Sequence, residues 1–227
     1  MLLTIIIPVY NEKSTVVEVI EKVASISLPL EKEIIVVDDG SNDGTKELIE
    51  SKQNHLARYY SSPVNIGKGA AVRIGLSFAK GDIILLQDAD LETNPDEYLS
   101  LLQPILDKRT SVVYGSRFLK RNAKVPKLRR LANWGLTKTT NILFRSRLTD
   151  METAYKVFSR EVAEKLRLRA NRFDIEPEIT SRICQAGFKI VEVPISYTPR
   201  TVFEGKKIKF RDGLKAIWTL IKCRFNF

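Results

Sequence analysis

The feature that most constrains this chain is a repeating unit: a short, almost wholly apolar run, then a cluster of acids and turn residues, then a stretch of helical periodicity. Leu3–Val9, Glu33–Val37, Arg58–Ser61, Asp82–Leu86 and Ser111–Tyr114 are strand-sized runs. Between them lie helical segments: one with Val16, Val17, Ile20 and Val23 on a stripe, one capped by Asn42 or Asp43 and running through Lys52, one over Gly67–Phe78, and one opened by Asn94-Pro95. Strands apolar on both faces must be covered on both faces. The expected fold is therefore α/β, a mostly parallel central sheet flanked by helices.

After Gly115 the alternation loosens. Leu128–Phe144 reads as a basic helix, Tyr155–Phe158 as a strand, Glu176–Gln185 as a helix and Lys189–Val193 as a strand ended by Pro194. A C-terminal helix, Phe210–Phe225, sets Leu214, Ile217, Trp218 and Ile221 on one stripe. No repeat or low-complexity linker divides the 227 residues, so one domain over 1–227 is expected, and its composition changes between 1–115 and 116–227.

Charge separates these halves. Residues 1–115 hold 11 Lys/Arg and 17 Asp/Glu, whereas 116–227 hold 26 and 10. Ser116–Thr149 has ten basic residues and no acidic one, a run that suits phosphates or an acidic membrane surface as well as plain solvation. No apolar run approaches the roughly 20 residues that span a bilayer. No basic segment precedes an apolar one at the N-terminus, and Cys184 and Cys223 follow no metal or redox spacing. A cytoplasmic protein, in peripheral contact with the inner face of a membrane, is the expectation. The Phe210–Phe225 helix is the candidate contact, with Trp218 and Phe225 at headgroup level; the alternative is a helix simply docked on the domain.

In open parallel α/β sheets, ligands collect beyond the carboxyl ends of the strands. Three polar groups stand there: Pro8-Val9-Tyr10-Asn11-Glu12, Asp38-Asp39-Gly40-Ser41 and Asp88-Ala89-Asp90. Two carboxylates in an Asp-x-Asp element repel, and a strand end is a costly place for them without a cation. Mg2+ or Mn2+ would take Asp88 and Asp90 as ligands and bridge to a diphosphate, neutralising charge on the leaving group. Asp39 is placed to accept from a base N–H, Tyr10 to pack on a base or ribose, and Glu12 to accept from a hydroxyl or base. Each alone is also what a turn or helix cap would carry.

Together the segments resemble a known family. Ile5-Ile6-Ile7-Pro8-Val9-Tyr10-Asn11-Glu12, Val36-Val37-Asp38-Asp39-Gly40-Ser41, Asn65-Ile66-Gly67-Lys68-Gly69 and Gln87-Asp88-Ala89-Asp90-Leu91 are similar to family 2 glycosyltransferases of the A-type fold. Gly115-Ser116-Arg117-Phe118, Thr149 to Phe158 and Phe173-Asp174-Ile175-Glu176-Pro177-Glu178 resemble the dolichyl-phosphate mannose and glucose synthases. Thr153-Ala154-Tyr155-Lys156 stands where the mannose synthases usually have Ser-Gly-Phe-Arg.

The resemblance implies a nucleoside held by Pro8, Tyr10, Glu12 and Asp39. Ribose, diphosphate and metal would lie at Asp88, Ala89 and Asp90, with Asp90 the firmer ligand. Arg117 would meet the acceptor phosphate or donor sugar, and Arg200 and Lys206 would bind diphosphate from a loop closing over the site. Arg and Lys suit phosphate oxygens on chemical grounds too. The expected reaction is inverting transfer of a hexose, from a donor of the GDP-mannose or UDP-glucose type, to a polyprenyl phosphate. An acceptor hydroxyl on a sugar, as in cell-surface polysaccharide synthesis, is the alternative. It would need a base, for which Asp150 and Glu152 are candidates. A nucleic-acid binder would show a helix-turn-helix, RNP-like or zinc-finger pattern, and this chain has none. A sugar-nucleotide sensor would bind donor without turnover. His55, the lone histidine, lies in a loop-like stretch and is assigned no role.

Overall fold

The computed structural model describes residues 1–51, 56–120, 125–200 and 210–225, without the side chains of 210 and 211. Among these, β1 (Leu2–Val9), α1 (Val16–Ser25), β2 (Glu31–Asp38), α2 (Thr45–Ser51), β3 (Arg58–Ser61), α3 (Lys68–Phe78), β4 (Ile83–Leu86), α4 (Tyr98–Leu106) and β5 (Val112–Ser116) follow in strict alternation. Then come α5 (Lys127–Phe144), β6 (Lys156–Ser159), α6 (Arg160–Lys165), α7 (Ile175–Gln185), β7 (Ile190–Pro194) and α8 (Phe210–Phe225). Helix α6 is not legible as a periodic stripe. It is a short turn begun by Ser159, whose side chain accepts from the Val162 N–H. Asn94 opens a 3-10 turn, Pro95–Glu97, that runs into α4.

The described strands form one seven-stranded sheet in the order β3-β2-β1-β4-β6-β5-β7. Every pairing is parallel except those of β6, which runs antiparallel to both β4 and β5. Side chains alternate between two cores, as a two-residue period requires. Leu3, Ile5 and Ile7 pack toward α1 and α4, while Ile6, Ile84 and Tyr114 pack toward α3 and α7. Burial on both faces explains the lack of polar alternation in β1, β2 and β4.

Topology decides where a ligand can sit. The chain leaves β1 for β2 on one side and returns for β4 on the other, which puts a topological switch point between β1 and β4. Glu12 follows the one strand, and Asp88 and Asp90 the other. Because β6 is reversed, its first residue, Lys156, lies level with Tyr114 near the carboxyl end of β5. The segment before β6 is thereby carried to the same edge as Asp88 and Asp90, as are the residues that follow β5 and β7.

Candidate active site

The strand exits are tied together before any ligand arrives. Asn11, with a left-handed φ of 51°, receives a hydrogen bond on its carbonyl side chain from the Asn42 N–H and donates its own N–H to Ser41 Oγ. Thr45 Oγ1 accepts the Glu12 N–H, and Thr15 Oγ1 donates to the Ala89 carbonyl at 2.7 Å. Leu91, just past Asp90, is also left-handed, at 58°. A non-glycine residue held there costs energy that the surrounding bonds must offset, and such positions cluster at functional sites. Pro8 and Tyr10 lie half-buried at the β1 exit, beside this lattice.

Asp88 and Asp90 each meet a cation of the chain itself. The Arg200 guanidinium reaches Asp90 Oδ2 at 2.8 Å and both carboxylate oxygens of Glu12, at 2.8 and 3.2 Å. Lys68 Nζ lies 2.7 Å from Asp88 Oδ1 and 2.9 Å from Glu176 Oε1. Glu176 in turn pairs with Lys156, which is wholly buried. The repulsion expected of an Asp-x-Asp pair is thus partly met by protein cations. It is not fully met: burial, then the neighbouring Asp88 and Glu92, push the Asp90 carboxyl up to about 7 in spite of Arg200. A dication would relieve that excess of negative charge. Two carboxylates, with phosphate oxygens and water completing the shell, are a donor set that Mg2+ or Mn2+ accepts. Among the described residues no three His, Cys, Asp or Glu side chains form a metal cluster by themselves.

Lys68 reaches its partners because of its neighbours. Gly67, at φ 125°, and Gly69 pass so close to the 170–171 backbone that a Cβ on either would sit 2.3–2.4 Å from a carbonyl oxygen. This close approach brings the start of α3 beside the start of α7, where Glu176 lies. Burial alone would lower the Lys68 ammonium, but Asp88 and Glu176 hold it above its ordinary value. Glu176 is held below the usual carboxylate range, its burial outweighed by Lys156 and Lys68.

A second ion pair forms the facing wall. Arg117, from the end of β5, donates through Nε and Nη2 to the two oxygens of Asp150, both at 2.7 Å, and its backbone N–H adds a third bond at 3.0 Å. Asp150 is fully buried and also accepts from Asn133 Nδ2 of α5 at 3.0 Å. Glu192 of β7 receives the Thr149 and Asp150 N–H groups, fixing the turn that presents Asp150. The guanidinium lies 5.1 Å from the centre of the Tyr197 ring, and the Tyr197 hydroxyl donates to Glu92 at 2.9 Å. Glu92 also accepts the Arg200 N–H. A continuous set of contacts therefore runs from Arg117 through Tyr197, Glu92 and Arg200 to Asp90.

Glu152 stands apart from this network. Its buried Oε1 has no hydrogen-bond partner, and burial, reinforced by Glu176 and opposed by Lys156 and Arg117, lifts its carboxyl to about 7. Asp39, by contrast, is held by three donors of the chain. It accepts from Asn65 Nδ2 and from the Ile66 and Gly67 N–H groups at 2.7–2.9 Å, while burial raises its carboxyl. Three donors leave a carboxylate about one further lone-pair site for a base N–H. Asp38 is structural, buried and bonded to Ser41, Tyr59 and Ser61. Lys206 and His55 lie outside the described residues. Lys68, Glu92, Lys156, Glu176 and Tyr197 join the site without having been singled out by residue type. The signals available are the glycines flanking Lys68 and the family-like segments that contain Lys68, Lys156 and Glu176.

The sequence profile described as Glycosyl transferase family 2 matches residues 4–167. The chain belongs to that family. Among relatives of this glycosyltransferase, the dolichyl-phosphate β-glucosyltransferase ALG5C of Trichomonas vaginalis is 30% identical over 242 residues, covering 99% of this chain and 71% of the relative. The ALG5A protein of the same organism, with the same described activity, is 28% identical, over 97% and 72%. In fold, the glycosyltransferase is similar to glucosyl-3-phosphoglycerate synthase of Mycobacterium tuberculosis in complex with UDP. The TM-score is 0.76 at 20% identity, covering 98% of this chain and 80% of that one.

Proposed function

We propose that this glycosyltransferase moves a hexose from a nucleotide-diphosphate sugar, of the UDP-glucose or GDP-mannose type, to a polyprenyl phosphate with inversion at the anomeric carbon. Residues 1–115 hold the nucleotide and 116–227 receive the acceptor. The observation that carries this reading is the pairing of an acidic edge, Asp88 and Asp90, with a cationic wall built on Arg117 and Arg200 at the same end of the sheet. Relatives described as dolichyl-phosphate β-glucosyltransferases support the acceptor class.

Asp88 and Asp90 would hold Mg2+ or Mn2+; the M. tuberculosis synthase of similar fold has been solved with Mn2+ and UDP. Bound there, the metal supplies charge stabilisation for the departing diphosphate. Pro8, Tyr10 and the spare acceptor on Asp39 face the base, and Glu12 lies beside them at the switch point. Arg200 releases Glu12 and Asp90 to meet the diphosphate, helped by Lys206 from the adjoining segment. Arg117 stays clamped by Asp150 and offers its remaining N–H donors to the acceptor phosphate or sugar. That phosphate is already ionised near neutral pH, so the reaction needs positioning and charge stabilisation rather than a base. Asp150, engaged by Arg117 and Asn133, then acts as the positioning residue for Arg117.

One observation favours a second reading. Glu152, with a free buried oxygen and a carboxyl near 7, is what a general base for a hydroxyl acceptor requires. Radiolabel transfer from UDP-glucose and from GDP-mannose, with Mn2+, to a short-chain polyprenyl phosphate and to sugar hydroxyls separates the two. Turnover on the lipid phosphate is expected. Turnover confined to hydroxyl acceptors would replace the proposal with the polysaccharide reading.

A further inference from the structure

Residues 195–200 leave β7 as a strap laid on the turn that follows Asp90. The Ile195 N–H donates to the Ser116 carbonyl, Ser196 to the Glu97 carboxylate and Thr198 to the Glu92 carbonyl. Glu92 then holds the far end twice: Oε2 accepts from the Tyr197 hydroxyl at 2.9 Å, and Oε1 from the Arg200 N–H at 2.8 Å. The same residue also fixes the acid. Its backbone N–H donates to Asp90 Oδ1 at 3.1 Å across Leu91, whose left-handed φ of 58° closes the turn. Backbone and side chain of Glu92 thus tie Asp90 and Arg200 to one point.

The guanidinium stands on the oxygens that a divalent ion needs. Asp90 has Oδ1 taken by the Glu92 N–H and Oδ2 by Arg200 Nη2, while both oxygens of Glu12 face the same fork. Mg2+ or Mn2+ would approach a carboxylate oxygen to about 2.1 Å with two positive charges, and an arginine on that oxygen repels it. Ion and arginine are therefore alternative occupants of Asp90. A diphosphate changes the balance. Its oxygens offer the fork a second acceptor while they complete the shell of the ion. Because the Arg200 backbone is held by Glu92, the exchange requires only a swing of the side chain.

We propose that Arg200 is the resident cation of Asp90 and that Glu92 is its positioning residue: the guanidinium seats on Asp90 and Glu12, competes with a divalent ion that comes alone, and yields to one that comes with a nucleoside diphosphate. This competition presupposes the donor reading of the proposed function and adds an order to it: metal and nucleotide bind as a pair. With the arginine seated about nine-tenths of the time, the ion alone binds about 10-fold more weakly than it would to a site without that arginine.

Mn2+ binding, read from the electron paramagnetic resonance signal of the free ion, tests this without turnover. In the parent, UDP or GDP should tighten Mn2+ binding by at least about 10-fold. Arg200→Met should bind Mn2+ alone about 10-fold more tightly than the parent and gain correspondingly less from the nucleotide. Two further variants separate competition from plain charge. Glu12→Gln and Glu92→Ala each remove a negative charge, which by Coulomb attraction alone would weaken Mn2+ binding. Loosening the seated arginine should instead tighten it. Glu92→Gln still accepts the Arg200 N–H and can donate to the Tyr197 oxygen, so it should stay near the parent. Circular dichroism checks that each variant is folded, and the glutamate variants decide the matter even if Arg200→Met is not. An Arg200→Met protein that binds Mn2+ no more tightly than the parent, or weaker binding in Glu12→Gln and Glu92→Ala, would overturn the proposal and leave nucleotide-dependent metal binding in place. No Mn2+ binding by the parent with either nucleotide would overturn the donor reading as well.

Discussion

Residues 1–115 deliver Glu12, Asp39, Asp88 and Asp90 from the carboxyl ends of parallel strands, whereas residues 116–200 deliver Arg117, Asp150, Lys156 and Arg200 from around β5, β6 and β7. In the first region each functional side chain follows its strand by a few residues, and side-chain-to-backbone bonds such as Thr15 to Ala89 hold it. In the second, position depends on one reversed strand, β6, wedged between β4 and β5. Side chains of the first region are thus placed mainly by the strands they follow, and those of the second by long-range pairing. The acidic edge is expected to survive damage to the cationic wall, and not the reverse.

Arg117→Ala is the strongest challenge to this difference. It should lower kcat by about 10²–10³-fold, the scale for losing a preorganised charged donor. Lysine should restore little, because one ammonium cannot replace the two-pronged bond to Asp150. The variant also strands a buried carboxylate, so Arg117→Ala with Asp150→Asn should recover melting temperature and not transfer. Next is Lys156→Met. Removing a wholly buried partner of Glu176 should cost about 3 kcal/mol in urea unfolding, the low end for a broken buried pair because Lys68 still holds the carboxylate. Calorimetric donor binding should persist in whatever fraction stays folded.

Glu152→Gln should act in the opposite direction. The folded carboxyl titrates near 7 against an ordinary value of 4.5, so the native state keeps a proton that the unfolded chain has lost. That penalty is absent below about pH 4.5, grows as pH rises and is complete above about pH 7. The variant should be more stable than the parent by about 1–3 kcal/mol at pH 8 and equal to it at pH 4, measured by thermal melts. The smallest expected effect lies in the first region: Asn65→Ala removes one of three donors to Asp39 and should cost about 1 kcal/mol of stability.

The same contrast governs what the sequence could reveal. Leu3–Val9 and Ile83–Leu86 are readable because a strand buried on both faces leaves an unbroken apolar run. The acids at their exits are then placed by the general rule for open sheets. Lys156 looks like an ordinary β-edge lysine. Only the pairing of β6 with β5, and the crossing of α7 beneath it, bury it against Glu176. Arg117 was found through its resemblance to a family motif, whereas its clamp by Asp150 depends on a separation of 33 residues that no periodicity reports. The C-terminal helix buries Ala216, Leu220 and Cys223 on one side and exposes Leu214, Trp218 and Phe225 on the other.

The account rests on Asp90 and Asp88 gripping a divalent ion against the donor diphosphate. Donor titration by calorimetry with and without Mn2+, on the parent protein and on Asp90→Ala, tests it most directly. The account predicts Mn2+-dependent donor binding by the parent, loss of that dependence in the variant, and transfer reduced by at least about 10²-fold. A correctly folded Asp90→Ala protein that binds donor with the same metal dependence and transfers at the parent rate would contradict it.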